Sequence, residues 1–177
     1  MNLPPGAFRY LVIGQAVIPF FINIVVNVVL GALTFWGHDS VSTWATDKGA
    51  AADSIGTCFC LPFITCLIAT PIVRYQVAHG VACRIPPTDM PRWVRWMSGP
   101  VLLRATNFGV AGILLLAGPV YAAYGVFAGE SIETVRFIAI KAIFAGVLGI
   151  FVTPLVAFVA MCDPLANPHL SVNRFRD

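Results

Sequence analysis

No Asp or Glu occurs within any of the four long apolar runs of this 177-residue sequence, and that absence removes the usual proton or cation carrier of a coupled transporter. Histidine is missing from the runs as well. His38, His79 and His169 fall between or beyond them, so no axial His pair can hold a haem between buried helices, and no Cys or acid pair with ligand spacing supports a metal. There is no Cys-x-x-Cys either: Cys58, Cys60 and Cys66 cluster in the second run, with Cys83 and Cys162 on the opposite side. A membrane disulfide-forming enzyme needs such a pair and a second exposed one, so these thiols read as small apolar packing groups. No acid, base or nucleophile set converges. The chain is therefore expected to be non-enzymatic, without cofactor or metal, and without a basic surface for nucleic acid.

What is present is apolar. Hydrophobic residues make up 58% of the chain, charged residues 11%, and the mean hydropathy is +0.83, a balance that no ordinary soluble domain shows. The first run, Tyr10 to Trp36, is uncharged and long enough for a helix of roughly 40 Å, against a hydrocarbon core of about 30 Å. It exceeds the h-region of a signal peptide and no Ala-x-Ala site follows it, so it is expected to stay in the mature protein.

Within this run Gln15, Pro19, Asn23 and Asn27 recur at i+4 and form a slanted ridge on one side of a helix. That ridge should face protein or water. It can line a polar path, or it can pack by hydrogen bonds against groups such as Thr65, Thr106 and Asn107 on other helices. Packing is the preferred reading.

The segment after Trp36, from Gly37 to Ser54, gathers His38, Asp39, Asp47, Lys48 and Asp53 and reads as a solvent-exposed loop, with Trp36 and Trp44 at headgroup level. The second run, Ile55 to Val73, carries Pro62 and Pro71, which should kink it. Arg74 to Arg104 is the most basic stretch. Its Pro91 to Met97 core carries Arg92 and Arg95, and Trp93 and Trp96, each pair spaced i,i+3; a short amphipathic helix lying on anionic lipid headgroups is expected there. The third run is Ala105 to Gly129. Lys141 precedes the fourth, Ala142 to Cys162, and is expected to run its stem along lipid towards the headgroups.

The fold expected is all-α: an integral membrane four-helix bundle, a single domain made of hairpin 8–74, cytoplasmic linker 75–104, hairpin 105–162 and tail 163–177, with an interfacial amphipathic helix joining the hairpins. Eight Lys and Arg lie in the head, linker and tail against three in the other two loops, which places both termini in the cytoplasm.

The two hairpins also resemble each other. Trp36-Gly37-His38-Asp39-Ser40-Val41-Ser42-Thr43 aligns with Phe127-Ala128-Gly129-Glu130-Ser131-Ile132-Glu133-Thr134, and Thr70-Pro71-Ile72-Val73 with Thr153-Pro154-Leu155-Val156, given a longer first loop. An internal repeat of this kind would relate the hairpins by an axis along the membrane normal.

The first hairpin, with its polar first helix, its Leu33-Thr34-Phe35 exit and its Ala69-Thr70-Pro71-Ile72-Val73-Arg74 ending, resembles a family of small bacterial two-span membrane proteins of unknown function. The resemblance covers residues 8–78 and extends less clearly to the second hairpin. It implies a bacterial inner membrane and supplies no activity. The function expected is that of an accessory or structural subunit, or a homo-oligomer, acting through helix packing against a copy of itself or another membrane protein; a small passive channel or carrier along the Gln15, Asn23, Asn27 face is the alternative.

Overall fold

The first 28 helical residues, Ala7–Thr34, form one continuous helix, α1, whose only charge is Arg9. Its segment Tyr10–Val17 is wound as a π-helix. Pro19 stands two residues beyond its end; it has no N–H for the carbonyl one turn back and its ring would crowd that carbonyl, so the wider winding relieves the clash. The computed structural model describes residues 6–85, 94 and 99–163. The expected headgroup helix with Arg92, Trp93, Arg95 and Trp96, and the tail beyond 163, lie outside the described residues.

After α1 the chain turns at Gly37, whose φ of 77° suits a residue without Cβ, and enters a short strand, β1, Ser40–Ser42. Helix α2, Ala50–Ala78, runs through Pro62 and Pro71 without interruption. Helix α3 is Val101–Phe127, β2 is Ser131–Glu133, and α4 is Thr134–Met161. All four helices are long and apolar enough to cross a membrane. All four begin before the apolar runs do. Asp53 sits in the first turn of α2, where a carboxylate favours the helix dipole, rather than in a solvent loop, and Arg136 and Lys141 lie inside α4.

The helices pack in a row. α1 lies along α4, α4 along α2, and α2 along α3, while α1 and α2, consecutive in sequence, barely touch, and the same holds for α3 and α4. The bundle is therefore interleaved, and not a pair of packed hairpins: α1 is joined to α2 mainly through α4, and α3 to α4 mainly through α2. Over its most apolar 18 residues α4 is 61% buried, against 17% for α1 and 11% for α3, so α4 is central and α1 and α3 form the flanks.

Close approach in this row depends on glycine. A Cβ at Gly112 of α3 would lie 2.1 Å from the Cys58 carbonyl oxygen of α2, the carbonyl that Pro62 leaves without its helical donor. A C–H fits there and faces that oxygen. On the other flank, a Cβ at Gly149 of α4 would lie 2.3 Å from the Asn23 amide nitrogen of α1.

At one end β1 and β2 form an antiparallel ribbon that pairs Ser40 with Glu133, Val41 with Ile132 and Ser42 with Ser131. The Thr43 N–H donates to Glu130 O at 2.9 Å and the Thr134 N–H to Asp39 O at 3.1 Å. Under the alignment of the two halves, Thr43 corresponds to Thr134, Asp39 to Glu130 and Val41 to Ile132. Each of these contacts therefore maps onto its mate, and the α1–α4 contact maps onto α3–α2 in the same way. Phe35, Val41, Ala50 and Phe137 form a small core beneath the ribbon, with the Phe35 and Phe137 rings edge to face at 5.2 Å. The larger core lies at the far end, around Val73, Ile85, Val94, Ala105 and residues 156–162.

Candidate functional site

Two charged clusters and one cavity stand out in this apolar bundle. At the ribbon end, Lys141 of α4 is 6% exposed and its Nζ lies 2.9 and 2.7 Å from the two carboxylate oxygens of Asp53 on α2. This corrects the expectation that its stem follows lipid to the headgroups: the ammonium is drawn into the α2–α4 interface, because a partly buried carboxylate there offers a stronger partner. From the very next residue of α2, the Ser54 hydroxyl meets the Tyr124 phenol at 2.8 Å and ties α3 to α2.

Between α3 and α4, beneath β2, these two ties leave a cavity of about 350 Å³. Val120, Ala123, Ile140 and Phe144 give it an apolar wall, and Tyr124, Lys141, Arg136 and Glu133 a polar one.

At the opposite end, Asp163 accepts from two arginines. The Arg74 Nε donates at 3.1 Å, and the Arg74 Nη2 also contacts the same oxygen; Arg104, 1% exposed, donates through Nη2 at 2.7 Å. One carboxylate thus joins the end of α2, the start of α3 and the end of α4. Burial next to Asp163 pushes the Cys162 thiol up to about 11. Tyr10 donates its phenol hydrogen to Gln76 at this end, linking α1 to α2. The Thr153 hydroxyl is buried with no hydrogen-bond partner among the described residues.

No known family, curated protein or solved structure matches this chain.

The residues singled out from sequence divide. Gln15 and Asn27 are buried, Asn23 is half-buried against Gly149, and the Asn27 side chain donates to the Asn23 carbonyl of its own helix at 2.9 Å. The ridge is thus turned to α4. Thr65, Thr106 and Asn107 are half-buried on α2 and α3. They do not join the ridge, since α3 occupies the opposite flank, and the Thr106 hydroxyl donates to Leu102 O within its own helix at 3.0 Å. Cys58 and Cys66 are buried and Cys60 faces outward, and no group of His, Cys, Asp or Glu among the described residues could hold a metal.

Sequence reasoning missed the Asp53–Lys141 pair and the shared Asp163. The one available signal was that Asp53, Lys141, Arg74, Arg104 and Asp163 each stand at the edge of an apolar run, where an unpartnered charge is costly.

Proposed function

We propose that this chain is a multi-pass protein of the bacterial inner membrane, both termini cytoplasmic, that acts without catalysis through helix packing, as an accessory or structural subunit or as a homo-oligomer. Two related hairpins form it, and the reciprocal bonds across the ribbon support that duplication. The observation that carries the reading is the outer face of α3. There Gly118, Ala122 and Gly125 are exposed one turn apart, and a Cβ at Gly118 or Gly125 would meet nothing within 4 Å. Small residues on an unburied flank let another helix backbone approach closely. Gly109, Gly112, Gly146 and Gly149, by contrast, are consumed inside the chain. The Arg92, Trp93, Arg95 and Trp96 segment fits anionic headgroups on the same membrane.

The path reading is less well supported, because the Gln15, Asn23, Asn27 face meets α4 and leaves its amides occupied by packing. The test is crosslinking in native membranes from single cysteines at 118 and 125 in a Cys-free chain. Crosslinked product that disappears in Gly118→Leu supports association through α3. A monomer-sized species with no crosslink at either position overturns it.

A further inference from the structure

We infer that the cleft between α3 and α4 at the ribbon end is a binding site for one phospholipid with a zwitterionic, phosphoethanolamine-type headgroup, an inference that rests on the membrane reading above. The cleft is built rather than left over. Lys141 pulls α4 onto Asp53 of α2 and Tyr124 holds α3 onto Ser54 of α2, so both walls are anchored to a third helix and α3 and α4 stay apart. The resulting volume of about 350 Å³ falls within the range of small-molecule sites.

Its two walls match the two ends of an amphiphile. Val120, Ala123, Ile140 and Phe144 offer an acyl chain a surface that continues the apolar exterior of the bundle. At the mouth, Glu133 and Arg136 lie i,i+3 at the start of α4; both are exposed, and neither makes an ion pair among the described residues. A guanidinium suits the phosphate and a carboxylate suits the ammonium, so a headgroup carrying both charges is complementary and one carrying only a negative charge meets Glu133 unfavourably. Lys141 does not contact the headgroup in this scheme; its charge is held by Asp53, and it acts as a positioning residue.

The difference between the halves supports the same site. Where the second hairpin has Tyr124 and Lys141, the first has Leu33 and Cys58 at the aligned positions. The groups that hold this cleft open therefore have no counterparts in the first half.

The test is native mass spectrometry of the full chain, released from detergent after exposure to phosphatidylethanolamine, phosphatidylglycerol or free phosphoethanolamine. Retention of one phosphatidylethanolamine in preference to phosphatidylglycerol is expected. Arg136→Gln should weaken retention of both lipids by roughly tenfold, and Glu133→Gln should abolish the preference while keeping binding. Both residues are on the surface, so these variants fold. Ala123→Trp fills the cleft and should displace the lipid; Tyr124→Phe, which releases α3 from Ser54, should weaken retention without changing headgroup preference. Equal retention of the two lipids by the parent overturns the proposal, as does an unchanged preference in Glu133→Gln or full competition by free phosphoethanolamine. Resistance of the chain to carbonate extraction is scored separately. A membrane-integral chain without lipid preference sinks the site alone, whereas an extractable chain sinks the membrane reading.

Discussion

Thr43 and Thr134 make the same bond in opposite directions: the Thr43 hydroxyl donates to Gly129 O at 2.6 Å, and the Thr134 hydroxyl donates to His38 O, also at 2.6 Å. Each threonine thereby closes the hairpin loop of the other half. Because the two bonds are near equivalents, Thr43→Val and Thr134→Val should destabilise by similar amounts, about 1 kcal/mol each, the usual net worth of such a bond. Chemical unfolding in detergent measures both. A large loss at one position and none at the other would show that the two ends of the ribbon are not equivalent.

Lys141 and Asp53 should behave as a unit. Lys141→Met leaves a partly buried carboxylate without its cation and should destabilise by about 3–5 kcal/mol. The double change Lys141→Met with Asp53→Asn should recover much of that loss, since no charge is then stranded. Thermal unfolding of Lys141→Met, of Asp53→Asn alone and of the double variant decides it, and a double variant as unstable as the sum of the singles would argue against a coupled pair.

The glycines of α3 should separate into two kinds. Gly112→Ala forces a methyl to within 2.1 Å of the Cys58 carbonyl oxygen and should destabilise the chain by about 1–3 kcal/mol, pushing α2 and α3 apart. Gly118→Ala meets open space and should leave the stability of the single chain within about 0.5 kcal/mol. Unfolding measured on monomeric protein in detergent keeps this comparison free of any effect on association.

Cys162 should resist alkylation at neutral pH. The thiolate is the reactive form, and a thiol raised to about 11 is almost wholly protonated at pH 8. Its labelling rate should climb roughly tenfold per pH unit and level off only as the pH passes that value. The sign for stability follows: the fold favours the protonated thiol, so the contribution is complete below the ordinary thiol pKa of 9.0 and is lost as the pH rises from there through 11. Labelling followed by mass spectrometry across this range is the measurement.

Helix existence was legible because it is written locally. The uncharged run from Tyr10 to Trp36 corresponds to α1, Ala7–Thr34, since a helix depends only on residues within a few turns, and the i+4 spacing of Gln15, Pro19, Asn23 and Asn27 puts them on one side of it. Which helix that face meets is a tertiary matter, and no spacing within α1 points to Gly149. The start of α4 is hidden in the sequence for a related reason. Arg136 and Lys141 look like an end to an apolar run, but Lys141 is neutralised by Asp53, which lies 88 positions earlier, and a pairing over that distance leaves no local trace. Asp163 looks like the start of a tail because the two arginines it joins, Arg74 and Arg104, are likewise remote in sequence.

The interleaving of the four helices governs how the chain is made. About 100 residues separate the end of α1 from the start of α4, which at roughly 5–20 residues per second takes on the order of 5–20 s to synthesise. Throughout that interval α1 lacks its main partner, and the face bearing Gln15 and Asn27 is turned to whatever the nascent chain meets. The last helix to emerge is the one that closes both the ribbon and the core. Synthesis therefore leaves α1 unmatched until α4 emerges, whereas α2 and α3 can already pack on each other, so a chain cut short before Thr134 keeps the α2–α3 contact and loses both contacts of α4.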